Sequence, residues 1–209
     1  MFPFPFSFLA TTASGLADID NLYSMEFDGV NDYFDLGTDS SLDIFGGDFS
    51  VSLWFNHSNT GNIGGKPFLE IAAFTNKMAM TLGFTTNTGV GFAVGSTWNF
   101  NAGSGYNDGN WHHMVATRTG TTYKIYVDNI ELSFSTGSFG YNTSEPKNRI
   151  GSGKFGETYY NGKLDEVAIF DYVLDSDQIE EIYDATTTGK TADLNSMATP
   201  PVAWYRMGD

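Results

Sequence analysis

The chain has no cysteine among its 209 residues. That excludes disulfide staples, thiolate metal sites and cysteine nucleophiles, so stability must come from a core, from bound cations or from assembly. Basic residues are scarce as well: 10 Lys and Arg stand against 25 Asp and Glu, a net charge of −15. A surface this acidic repels nucleic-acid phosphates and anionic lipid headgroups, and it suits neutral sugars and divalent cations. Long apolar runs are missing too. The opening MFPFPFSFLA is too short, and too interrupted by Pro3 and Pro5, to cross a bilayer, and it lacks the basic flank of a signal peptide. Histidine is limited to His57, His112 and His113. Neighbouring strand residues point to opposite faces, so His112 and His113 do not make the start of a tetrahedral zinc site.

What is present is aromatic and rich in glycine: 18 Phe, 11 Tyr, 4 Trp and 24 Gly, a composition for many short strands joined by turns. From Gly15 onward the apolar residues alternate. YSMEF and YFDL flank a turn at Gly29 and read as a hairpin. FSVSLWFN alternates Val51, Leu53 and Phe55 against Ser50, Ser52 and Trp54, and PFLEIAAF and MAMTLGF bracket a turn at Thr75-Asn76. WHHMVATR, TTYKIYV and IELSFS form a meander, with two-residue turns expected at Thr119-Gly120 and Asp128-Asn129. Between them GSTWNFNAGSGYNDGN has no period and reads as one long loop.

KLDEVAIFDY is a further strand and leads to the one helix signal, Ser176–Thr187. Asp175 is its N-cap, Gln178 completes a capping box, Leu174 and Ile179 staple the entry, and Gly189 is the stop. Ile179, Ile182 and Tyr183 form its apolar stripe. One short C-terminal helix among many strands predicts an all-β, two-sheet antiparallel sandwich with the helix capping one end. The chain divides into an extended apolar arm (1–20), the sandwich (21–190), and a linker with a closing strand (191–209). That last strand, Val202 to Asp209, either completes this sandwich or begins another domain.

Three kinds of chemistry bear on the residues present. Glycoside hydrolysis needs two carboxyls spaced across the scissile bond. No alternating Glu-x-Asp-x-x-Glu run exists, and Asp165 and Glu166 are adjacent, hence expected on opposite faces. A non-enzymatic role is therefore expected. A calcium site is the second kind: Asp28, Asn31 and Asp32 gather oxygens around Gly29, and Asp165 would complete the set from the other end of the chain. The alternative is that Asp28 and Asn31 stabilise the turn through local hydrogen bonds. The third kind is a carbohydrate site in the long loop, where Trp98, Phe100 and Tyr106 offer ring faces beside Asn107 and Asp108. Packing of those rings against neighbouring loops or subunits is the alternative.

Several stretches together resemble the concanavalin A-like, laminin G-type jelly-roll family: MEFDGVNDYFDLG, FSVSLWF, WHHMVATRTGTTYKIYVDN, RIGSG and, most specifically, NGKLDEVAIFDYVLDSDQIEEIY. The resemblance covers residues 22–187. It implies two antiparallel sheets, one of them curved, frequently a calcium site on the sandwich edge, and in many members glycan or protein binding. One departure stands out: a strand of the VAWYRMGD type usually opens such domains, and here it closes the chain. Aromatic, Gly-rich, acidic jelly rolls of this kind also resemble those in marine phage structural proteins.

Phe2, Phe4, Phe6, Phe8 and Leu9 cannot fold on themselves and are expected to anchor the arm on a capsid or on sister subunits of a homo-oligomer. With Met1 retained and no cleavable signal, the expected setting is a virion surface. The chain would serve there as a capsid decoration or spike protein of a tailed phage that meets a host-surface glycan. The alternative is a secreted or cell-surface bacterial lectin, and behind it a glycoside hydrolase. Nucleic-acid partners and membrane insertion are not expected.

Overall fold

The computed structural model describes residues 15–44, 47–58, 66–73, 78–84, 89–94, 100–136, 148–153, 158–186 and 189–208. Its first strands are β1 (Asp18–Asp20), β2 (Met25–Asp28), β3 (Phe34–Gly37), β4 (Phe49–Asn56), β5 (Lys66–Ala73) and β6 (Met78–Phe84). There follow β7 (Val90–Val94), β8 (Phe100–Ala102), β9 (Trp111–Thr119), β10 (Thr122–Val127), β11 (Ile130–Leu132) and β12 (Phe134–Thr136). The last are β13 (Asn148–Ile150), β14 (Ser152–Gly153), β15 (Thr158–Tyr159), β16 (Asn161–Phe170), β17 (Lys190–Ala192) and β18 (Ala203–Tyr205). Among the described residues one α-helix, α1 (Ser176–Asp184), lies between β16 and β17.

Two seven-stranded sheets face each other as a jelly-roll sandwich. The first has the order β11-β10-β9-β4-β16-β18 with β2 also on β16, and the second runs β12-β8-β7-β6-β5-β13-β3. The small ribbons β1-β17 and β14-β15 complete the fold, and all described pairings are antiparallel. Phe100–Ala102, expected within a long loop, is a strand that pairs with β7 and β12.

The alternation read from the sequence places the core. Val51, Leu53 and Phe55 of β4 are 0% exposed and meet Leu69, Ile71, Leu82 and Phe92 of the facing sheet. Aromatic rings interlock at one end: Phe55 stacks on Phe68 at 4.7 Å and Phe68 meets Phe84 edge-on at 5.3 Å. Such pairs each add about 1 kcal/mol beyond area burial.

The Gly29 region is not a hairpin. β2 pairs with β16 in the first sheet, whereas β3 pairs with β13 in the second. Asp28 Oδ1 accepts from the Val30 N–H at 2.7 Å, and Gly29 takes φ 78°. This Asx turn redirects the chain at a sandwich corner, because each arm finds a better partner elsewhere than the other arm.

The helix also differs from expectation in place and length. Its capping box is formed: Asp175 accepts from the Gln178 N–H at 2.9 Å, and Gln178 Oε1 accepts from the Asp175 N–H at 3.1 Å. It ends at Asp184, ahead of three consecutive threonines that hold a helix poorly. It does not cap an end of the sandwich. Ile179 and Ile182 pack on the outer face of the first sheet, against Val115, Ala168 and Phe170, forming a second core with Leu194 and Met197. Among the described residues no helix is long and apolar enough to cross a membrane.

Candidate functional site

One irregularity in β16 organises the outer face. Asp165 lies opposite Trp54 and Ala168 opposite Ser52, so two residues of β16 face the single Leu53. This is a β-bulge, and Glu166 sits in it with φ 51°. Leu164, Val167 and Ile169 keep their places in the main core, while Ala168 joins the second core. Asp165 and Glu166 therefore both face outward, and the expectation that adjacency would separate them fails at the bulge. β2 and β18 lie end to end along the same edge of β16, one on Asn161–Leu164 and the other on Val167–Ile169.

Glu166 is 4% exposed and is the knot between the two ends of the described chain. It accepts from Trp204 Nε1 at 2.6 Å and from Asn21 Nδ2 at 3.3 Å, with Arg206 Nε at 3.5 Å. Burial first, and then the neighbouring Asp165 carboxylate, push its pKa from 4.5 up to about 7, against the pull of Trp204 and Arg206.

Asp165, Trp54 and His113 form one row across β16, β4 and β9. Trp54 stacks on His113 at 5.0 Å, and Tyr183 of α1 lies parallel to Trp54 at 5.8 Å. His113 bonds to Ser52 Oγ at 2.8 Å, and burial lowers its pKa to about 4, so the ring is neutral. Trp111 stands diagonal to Trp54, roughly 7 Å away for such cross-strand neighbours.

Asp165, Trp54 and Trp111 line a cleft of about 500 Å³. Its walls are Asn21 and Tyr23, from the β1–β2 connection, and Thr186 and Lys190, which follow α1. Trp111 is 39% exposed and Tyr23 65%. Lys190 is drawn off by Asp20 at 2.9 Å and Asp18 at 3.9 Å.

The residues singled out in the sequence are distributed differently. Asp28 and Asp32 do come together, since Asp32 Oδ2 accepts the Asp28 N–H at 3.1 Å while Asp28 accepts from Val30 and Asn31. Asp165 does not join them. Asp28 pairs with Asn161, so Asp165 lies four residues further along β16, roughly 13 Å at the strand rise, and faces the cleft instead. Among the described residues no three His, Asp or Glu side chains are grouped to hold a metal.

The loop residues converge on His112. Its Nδ1 contacts Asp128 at 2.7 Å and its Nε2 contacts Asp108 at 3.1 Å, and the Asp128 bond raises its pKa. Asn110 donates to Asp108 through both its backbone and side-chain nitrogens, holding that carboxyl at about 2. Tyr106 meets the His112 ring edge-on at 5.2 Å and packs on the core, with Asn107 half-buried beside it. Tyr106 and Asp108 thus serve packing and a turn. Trp98 lies outside the described residues, as do the anchoring-arm residues Phe2, Phe4, Phe6, Phe8 and Leu9, and Phe100 is described only as part of β8. The third histidine, His57, is buried against Phe84 at 5.0 Å.

Apart from Asp165, expected as a calcium ligand, the cleft residues escaped sequence reading, although a signal existed. Trp54 occupies the polar face of an amphipathic strand beside Ser50 and Ser52, where a large ring needs an explanation. Its connection to Trp111 and Asp165 depends on strand order, which no local pattern carries.

The comparisons agree with this architecture. The laminin G-type model described as the concanavalin A-like lectin/glucanases superfamily matches residues 28–180. No curated protein matches the chain. Among solved structures, the CBM40 of a Ruminococcus gnavus IT-sialidase, bound to α2,3-sialyllactose, is similar with a TM-score of 0.56 at 12% identity. That match covers 79% of this chain and 97% of the module. A putative carbohydrate-binding protein from Bacteroides ovatus has a TM-score of 0.57 at 17% identity, over 93% of this chain and 53% of that one. The Trypanosoma rangeli sialidase in complex with the inhibitor DANA has a TM-score of 0.58 at 15% identity over 77% of this chain. This chain spans only 27% of that enzyme's length. Identities this low speak for the fold alone. The family match spans residues 28–180, well over half of the chain, and it makes this chain a member of the concanavalin A-like lectin/glucanases superfamily.

Proposed function

We propose that the chain is a non-enzymatic carbohydrate-binding module whose ligand enters the cleft on the outer face of the first sheet. One observation carries this reading: the exposed Trp111 ring stands diagonal to Trp54, with the Asp165 carboxylate directly across from Trp54. Sugar rings lay C–H faces on aromatic surfaces, and their hydroxyls take short polar partners. Asn21, Thr186 and Asp165 offer those partners at the cleft wall. The same fold carries carbohydrate recognition in the sialyllactose-bound CBM40, which is consistent with this class.

Catalysis has little support. Asp165 is the one carboxylate lining the cleft among the described residues, and Glu166 beside it is occupied by Trp204, Asn21 and Arg206. A glycosidase needs two carboxyls on opposite sides of the bond it breaks.

The test is a glycan array with the full chain, in calcium and again in EDTA. Binding that disappears in a folded Trp111→Ala variant supports the proposal. Silence across the array, or binding indifferent to Trp111, overturns it. We also propose the finer setting, display on a virion surface as a decoration or spike protein, on the strength of the Phe-Pro arm in the sequence. Deleting residues 1–14 should then abolish attachment to particles or sister subunits and leave sugar binding intact.

A further inference from the structure

We propose that the cleft prefers sugars bearing a free ammonium group, amino sugars of the glucosamine class, over neutral and acidic ones. This deepens the carbohydrate-binding reading and rests on it. The described lining holds one carboxylate, Asp165, and its one cation, Lys190, is engaged elsewhere. Asp165 is 5% exposed and sits in register with Trp54, so its charge is presented through the cleft, where little water screens it. Lys190, the basic side chain of the described lining, is held by Asp20 at 2.9 Å and Asp18 at 3.9 Å. Arg206, outside the lining, is paired with Glu166 and also donates to the Asp20 carbonyl, and Lys163, two residues before Asp165 in β16, is exposed to water outside the lining. A sugar carboxylate entering the cleft would meet Asp165 and the field of a chain with net charge −15, with no unpaired base among the described lining residues to receive it.

An ammonium finds the opposite. The exposed rings of Trp111 and Tyr23 line the same cleft, and the faces of aromatic rings attract a cation that lies within about 6 Å of them. A charge-assisted hydrogen bond to Asp165 would fix its position. Asp165 Oδ1 accepts the Glu166 N–H at 2.8 Å, which steadies the carboxylate within the bulge. The CBM40 seen with α2,3-sialyllactose holds an acidic sugar on the same fold. The charges in this cleft point the other way.

The experiment is calorimetric titration of the full chain with three probes: glucosamine oligomers, N-acetylglucosamine oligomers of equal length, and sialyllactose, at mildly acidic pH. Expected is at least about tenfold tighter binding of the free amine than of its acetylated counterpart, the size of one charge-assisted contact. Asp165→Asn, which keeps an oxygen for the Glu166 N–H, should weaken the amine at least about tenfold more than it weakens the acetylated oligomer, and so remove the preference. Lys190→Gln, away from the bulge, should strengthen the preference and serves if the Asp165 variant fails to fold. Adhesion of a polycation to an acidic surface would survive both Asp165→Asn and Trp111→Ala, and that result overturns the proposal. If acetylated oligomers bind through Trp111 as tightly as the amines, ammonium selection fails and the carbohydrate-binding reading stands. If no sugar binds the folded chain, both fall.

Discussion

Glu166→Gln probes the bulge through the pH dependence of stability. The wild-type side chain is 4% exposed, and burial together with the Asp165 carboxylate lifts its pKa from 4.5 to about 7. An acid with a higher pKa in the folded chain binds its proton more tightly there than in the unfolded chain. Its contribution to stability is therefore fully present below pH 4.5 and is lost as pH rises through about 7. A gap of that size, at 1.36 kcal/mol per pH unit, amounts to about 3 kcal/mol. Glutamine never ionises, and its carbonyl can still accept from the Trp204 indole. The stability of the variant minus that of wild type should thus rise by about 3 kcal/mol between acid and mildly alkaline pH. In thermal melts that is a relative gain of roughly 6–12 °C for a chain of this length. Urea unfolding followed by tryptophan fluorescence at a series of pH values measures it. Taking the difference cancels His113 and Asp108, which titrate in both proteins. A difference that stays flat, or falls as pH rises, refutes the account of Glu166 as a desolvated carboxylate beside a like charge.

His113 should act with the opposite sign. Burial lowers its pKa from 6.5 to about 4, so its contribution is intact above pH 6.5 and is lost as pH falls through about 4. Relative to wild type, His113→Gln should gain about 3 kcal/mol over that acid range in the same urea titration. Gly151→Ala should cost at least about 2 kcal/mol in a thermal melt, because φ is +82° and the added carbon would stand 2.2 Å from the Phe27 ring. Gly120→Ala, at φ +57° with open space around it, should cost only about 1 kcal/mol in the same melt. Ile179→Ala empties a fully buried position under α1 and should cost about 2–5 kcal/mol, with faster amide exchange along the helix than in β4.

Much of this molecule follows from local patterns. The alternation of Val51, Leu53 and Phe55 determines a strand with one buried face, because side-chain direction alternates in any extended chain. The same holds for Ile125 and Val127 in β10, and the positive φ of Asp128 and Asn129 is what their two-residue turn requires. Asp175 and Gln178 determine the helix start, since a capping box closes within four residues. The acidic balance, the absent cysteines and the aromatic core are likewise properties of composition.

Partner choice is not local, and there the tertiary structure decided. A sharp turn at Asp28-Gly29 is legible, yet nothing within ten residues says that β2 will join β16 and β3 will join β13, more than a hundred residues away. Asp165 reads as a partner for Asp28 until the register of β16 sets it opposite Trp54. One extra residue in that strand then brings Glu166 to the same face, against the alternation rule. The cleft depends on all three decisions, for Trp54, Trp111 and Asp165 come from three strands whose neighbourhood is set by sheet order alone. Side-chain period is a property of the chain at one point, whereas register and pairing are settled by the free energy of burying whole strands against one another.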